Sequence, residues 1–91
     1  MKKMNELLKI QVTEAHKHSI RHEDEIKHSS VCGCFCCLHT FTPAEVEEYL
    51  PERGGGKTAF CPYCDMDSVI GDASGYPITR EFLSAMRSRW F

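Results

Sequence analysis

Apolar residues return at helical spacing at the start of the chain, at Met4, Leu7, Leu8, Val12 and Ala15, with Lys9, Glu14 and Lys17 on the other side. That period predicts an amphipathic helix from about Lys3 to Lys17. A second short helix is predicted over Arg21–Lys27, with Ser19 as its N-cap and Glu23, Asp24 and Glu25 early in it. One bent helix fits the pattern equally, and Ser29-Ser30 breaks it. Further on, Thr42-Pro43-Ala44-Glu45 reads as a helix start with a capping box, and predicts a helix Pro43–Leu50 that buries Val46, Tyr49 and Leu50. Pro51 and Gly54-Gly55-Gly56 end it in a flexible tip. Thr58-Ala59-Phe60 reads as a short strand and Ser68-Val69-Ile70 as the strand returning from it. After a loop at Asp72-Ala73-Ser74-Gly75-Tyr76-Pro77, Thr79 caps a last helix, Arg80–Phe91. Its apolar stripe is Phe82, Leu83, Met86 and Trp90, and the pair Trp90-Phe91 predicts a C-terminus docked in the core.

The chain has 91 residues, enough for one domain or a domain with an arm. The pattern divides it into an N-terminal helical arm, 1–30, and a cysteine-bearing domain, 31–91. A core this small calls for an additional staple. Six cysteines, all between Cys32 and Cys64, supply the candidate. No apolar run reaches the roughly 18 residues of a membrane span, and the N-terminal stretch is too short and broken for a signal peptide. A cytoplasmic chain is therefore expected, in which thiols stay reduced and bind metal in preference to forming disulfides.

Cys34/Cys37 and Cys61/Cys64 are two Cys-x-x-Cys pairs separated by 23 residues. Backbone N–H groups in such a loop turn toward the sulfurs, and two loops supply four soft ligands in tetrahedral geometry. The expected cofactor is one structural Zn2+, with iron the lesser alternative. Spacing alone admits Cys32 in place of Cys34. The Cys34/Cys37 register is preferred because it mirrors Cys61/Cys64, and it leaves Cys36 as a spare thiol. Of the histidines, His16, His18, His22 and His28 lie in the first 30 residues. His18 and His22, four apart, could share a second metal, but no further ligand completes a set at obvious spacing, and packed or solvated rings are the simpler reading.

Two other motifs lose their familiar meaning in this context. Cys61-Pro62-Tyr63-Cys64 is a glutaredoxin active-site tetrapeptide, yet redox chemistry needs a helix after the first Cys, and Asp65-Met66-Asp67-Ser68-Val69-Ile70-Gly71 is a poor one. Gly54-Gly55-Gly56-Lys57-Thr58 lacks the first glycine of a P-loop, whose place is taken by Pro51. Asp65, Asp67 and Asp72 read as turn residues. A metal closed by four thiolates has no open position for substrate, so no enzyme activity is expected.

Charge is close to balanced, with 11 Lys/Arg against 13 Asp/Glu and a formal net charge of −2. Only Arg80, Arg87 and Arg89 form a small basic set, so nucleic-acid binding lacks its main driving force. A protein partner, or a second copy meeting through the N-terminal helix, fits better. Nucleic-acid association and a thiol-based redox or metal sensor are the alternatives.

Across Gly33-Cys34-Phe35-x-Cys37-Leu38, Cys61-Pro62-Tyr63-Cys64-x-x-Asp67-Ser68-Val69-Ile70-Gly71, Pro77-Ile78-Thr79 and Trp90-Phe91, the chain resembles a group of small uncharacterised bacterial and phage-associated proteins, often labelled only "cytoplasmic protein". The resemblance covers roughly residues 20–91 and implies a zinc-binding cytosolic domain with no established activity. The chain departs from that pattern at Cys36, where Tyr is expected, and at Asp65, where Gly would best suit a left-handed backbone. The fold expected is a small α+β zinc-binding domain, zinc-ribbon or treble-clef-like. It has two knuckles with short strands, a helix between them, a C-terminal helix and the N-terminal helical arm.

Overall fold

The computed structural model describes residues 5–91. Helix α1 is Glu6–Ala15, opened by the Asn5 side chain, which accepts a hydrogen bond from the Leu8 amide at 2.8 Å. The predicted start of this helix at Lys3 and Met4 lies outside the described residues. Val12 and Ala15 are buried, and Leu8 packs beside them. Leu7, expected on the same stripe, is 65 % exposed, as is Ile10 at 57 %. The reason is angular: α3 covers the line 8, 12, 15, and Leu7 lies about 100° around the helix from Leu8.

A 3-10 turn, His16–Ser19, follows directly. Ser19 does not cap the next helix: its hydroxyl donates back to the His16 carbonyl at 2.7 Å. The chain then reverses at Arg21, whose φ is 52°, and α2 is confined to Glu23–Lys27 with His22 as its N-cap.

Five short strands follow: β1 Cys32–Cys34, β2 Thr40–Phe41, β3 Tyr49–Pro51, β4 Lys57–Ala59 and β5 Val69–Gly71. All pairings are antiparallel. β1 lies between β2 and β5, with Gly33 opposite both Thr40 and Ile70. β3 and β4 form a separate hairpin, with Leu50 opposite Thr58. Two expectations are thereby corrected. The helix Pro43–Leu50 between the knuckles does not form. Its capping box is present, but the turn it starts ends at Glu45, and Tyr49–Pro51 is strand. Pairing with β4 satisfies that backbone, which eight residues ending at a proline could satisfy only in part as an isolated helix. The strand near Ser68 likewise returns to β1, not to β4.

The tip Gly54–Gly56, expected as flexible, is held by Arg21, whose guanidinium donates to the carbonyls of Gly55 at 3.0 Å and Arg53 at 2.7 Å. The Arg21 amide donates to Thr58 Oγ1, which itself donates to Glu52 at 2.7 Å.

Helix α3, Arg80–Trp90, is capped by Thr79 as the sequence predicts. It buries Phe82, Leu83, Ala85 and Met86 against α1 and the sheet. Trp90 is partly buried and donates its indole N–H to the Val12 carbonyl at 3.1 Å, so α1 and α3 are joined by a polar contact beside their apolar one. Phe91 stays 57 % exposed, so only half of the predicted C-terminal docking occurs. A second core cluster, with Ile26, Cys32, Phe41, Val46, Ala59 and Val69, surrounds the cysteines.

Candidate metal centre

The two Cys-x-x-Cys segments adopt one backbone conformation twice. In the first, the Leu38 amide donates to the Cys34 carbonyl at 2.8 Å and the Cys36 amide points at Cys34 Sγ, 3.3 Å away. In the second, the Asp65 amide donates to the Cys61 carbonyl at 3.0 Å and the Tyr63 amide points at Cys61 Sγ, 3.4 Å away. The residue after each second cysteine turns left-handed, Leu38 at φ 67° and Asp65 at φ 63°. Each first cysteine is anchored by its own amide, Cys34 to the His39 carbonyl and Cys61 to that of Met66.

The loops face one another. The sulfurs of Cys34, Cys37, Cys61 and Cys64 all lie within 4.8 Å of each other. Cys34 and Cys64 are 3.6 Å apart, as are Cys37 and Cys61. A tetrahedral thiolate site with metal–sulfur bonds of about 2.3 Å has sulfur–sulfur edges of about 3.8 Å. The residues present therefore fit a thiolate-bound metal ion, with two buried ligands, Cys34 and Cys61, and two half-buried ones, Cys37 and Cys64. Cys32 and Cys36 stand outside this group. Cys32 is fully buried in β1, and burial, helped by the nearby Asp72 carboxylate, pushes its thiol up to about 12. Cys36 is half-buried, its thiol raised mainly by desolvation and then by the neighbouring Cys64.

Desolvation also raises the thiols of Cys37 and Cys61. At Cys34 it acts in the same direction, but the Ser68 hydroxyl and the amides of Cys37 and Cys36 outweigh it, and that thiol is lowered. A divalent cation bound there would outweigh the desolvation that raises Cys37 and Cys61, since a coordinating thiol is deprotonated outright.

Side chains around the sulfurs complete the site. Ser68 Oγ lies 3.1 Å from Cys34 Sγ, and His39 Nδ1 lies 3.4 Å from Cys37 Sγ. The His39 ring stacks on Tyr63, 4.4 Å between centroids and 5° from parallel. The Tyr63 hydroxyl donates to Glu45 at 3.1 Å, and Glu45 also accepts from the Thr42 amide. The Thr42 amide and then the Tyr63 hydroxyl lower the Glu45 carboxyl. One chain of contacts thus runs from the capping box through the second knuckle to a sulfur of the first. Neither Ser68 nor His39 stands out as a site residue in the sequence. The only signal is spacing, Ser68 four residues after Cys64 and His39 two after Cys37.

The N-terminal histidines have other work. His22 Nδ1 donates to the His18 carbonyl at 2.7 Å and its Nε2 accepts from the Ala59 amide at 2.9 Å, so both nitrogens are engaged. His18 Nδ1 meets the Glu25 carboxylate at 3.0 Å. His28 bonds the Asp24 carbonyl, and His16 stacks on Trp90. Among the described residues, the four thiols are the group of metal-binding side chains that closes on one point. The loop carboxylates serve the backbone at Asp72, whose Oδ1 accepts from the amides of Ser30 and Val31.

No family model, curated protein or solved structure matches the chain. Among the described residues no helix is long and apolar enough to cross a membrane.

Proposed function

We propose that the chain is a cytoplasmic, zinc-stabilised protein-interaction module, of the kind implied by the small zinc-binding proteins it resembles. The observation that carries this reading is the four-sulfur cluster, which joins β1 to a loop 30 residues away and uses protein ligands for all four tetrahedral positions. Zn2+ is the ion that structural thiolate sites of this form most often hold. With its coordination filled, it serves as a staple and takes no substrate. Function then resides on the surfaces it holds in place. Leu7 and Ile10 on α1, and Ile20 and Phe91 near the end of α3, are large apolar side chains exposed to solvent. The first pair suits a protein partner or a second copy of α1.

The test joins metal analysis to partner capture. One Zn2+ per chain, with four thiols that become reactive only when a chelator removes the metal, supports the staple. Capture from extract of the source cell should survive nuclease and moderate salt, and fall with Leu7→Asp or Ile10→Asp. Binding that disappears with nuclease and shows a steep salt slope would favour the nucleic-acid reading instead.

A further inference from the structure

We propose that the cleft between the His16–Ser19 turn, the first knuckle and the end of α3 receives one cationic side chain, arginine or lysine, from a partner protein. This deepens the interaction-module reading, on which it rests, by naming the chemistry of the partner.

The cleft has a volume of about 420 Å³, within the range of ligand-binding sites. One wall is a continuous run of rings. His16 stacks on Trp90 at 3.9 Å and meets Phe35 at 6.1 Å, and Phe35 meets Phe91 at 5.8 Å. Aromatic faces attract cations through their negative quadrupole. Trp90 is already engaged, by His16 stacking and by the Arg89 guanidinium 4.5 Å from its ring, and Phe35 is buried, so Phe91 is the ring that this wall leaves exposed to an incoming cation.

Charge selects the sign of the occupant. Asp67 contributes an exposed carboxylate to the lining, and among the described residues it makes no ion pair or side-chain hydrogen bond. The one lysine of the lining, Lys17, is matched by Glu14 at 2.8 Å. Behind Phe35 and Ser68 stands the metal centre, where four thiolates around a divalent ion leave a net charge of about −2. The chain as a whole is also negative. An anionic ligand would meet this field unfavourably, whereas a cation gains from it. Ile20, 45 % exposed, and Phe91, 57 % exposed, offer apolar surface to the aliphatic stem that arginine and lysine carry behind their charge.

The test is an NMR titration of the full, metal-loaded chain at about pH 8. The probes are three capped tripeptides, glycyl-arginyl-glycine, its lysine counterpart and its glutamate counterpart. The arginine and lysine peptides should shift the Trp90 indole N–H and the Ser68 amide saturably, with a Kd of about 1 mM. Asp67→Asn and Phe91→Ala should each weaken binding about fivefold while the remaining amide spectrum stays in place. Equal binding of the glutamate peptide, shifts indifferent to both substitutions, or no saturable shift overturns the proposal. A cleft silent to cationic probes, alongside nuclease-resistant capture through Leu7 and Ile10, removes this site and leaves the module reading. Loss of all protein capture, with the cationic probes still bound, removes that reading and keeps the site.

Discussion

The Ala59 amide donates to His22 Nε2 at 2.9 Å, across 37 positions of sequence. Because an amide can only donate, Nε2 must be bare, and the proton sits on Nδ1, where the His18 carbonyl accepts it. The ring is 3 % exposed, and burial lowers its pKa below 6.5, against smaller opposing contributions from the His18 carbonyl and Glu25. The unfolded chain therefore takes up this proton before the folded one does. The corresponding stability is present in full above about pH 6.5 and is lost as pH falls below it. Urea midpoints measured from about pH 7.5 to about pH 5.5, with metal content checked at each point, should decline less steeply for His22→Gln than for the parent chain. His22→Ala orphans the Ala59 amide and should cost about 2–3 kcal/mol at neutral pH.

At Gly33 in β1, Leu83 of α3 and the preceding Ile78 leave no room for a side chain. A Cβ built there would meet Leu83 Cδ1 at 2.7 Å and Ile78 Cγ2 at 2.9 Å, both in a packed core. Gly33→Ala should destabilise by about 1–3 kcal/mol through overpacking, and Leu83→Val in the same chain should recover part of it. If Gly33→Ala unfolds at the parent's urea midpoint, the close approach of α3 is wrong.

Leu38 and Asp65 share a left-handed backbone but not their surroundings. Asp65 is exposed, whereas Leu38 packs on the helical core. At Asp65 the backbone term stands nearly alone. Asp65→Gly should hold or raise the melting temperature, and Asp65→Val should cost about 1–2 kcal/mol. At Leu38 the same glycine substitution relieves the backbone but strips apolar contact, and a net loss is expected. Thermal melts of the metal-loaded proteins separate the two positions. A stabilised Leu38→Gly would show that strain, not packing, governs the first knuckle.

What the sequence made legible depended on how local each signal was. Thr79 and the stripe of α3 lie within one helix, and both were readable. The cysteine pairs were readable because a Cys-x-x-Cys turn is built from its own backbone. The segment after Thr42 misled because its capping box is real but stops after one turn, and the next residues find a better partner in β4, a choice made by tertiary pairing. Leu7 misled because periodicity marks an apolar face without saying how wide a strip α3 will cover. Ser68 was hidden because it reaches Cys34 only after the knuckles have met, and His39 because its ring, though two residues from Cys37, is held in place by stacking on Tyr63 of the other knuckle.

The meeting of those knuckles sets the last prediction. Cys34 and Cys64 are neighbours in space and 30 residues apart in sequence, so an ion bound by the four sulfurs would close a long loop that a small core supports weakly. Binding free energy at such a site is folding free energy, on the order of 10 kcal/mol for structural zinc in peptides. Chelation should unfold the protein cooperatively, and Cys34→Ser or Cys61→Ser should yield unfolded or aggregated chain with no bound metal. Cys36→Ser lies outside the four-sulfur group and should keep both metal and fold. Metal analysis beside far-UV circular dichroism distinguishes these variants. A dispersed, native-like NMR spectrum from the metal-free parent chain would refute the staple, since the core alone would then suffice.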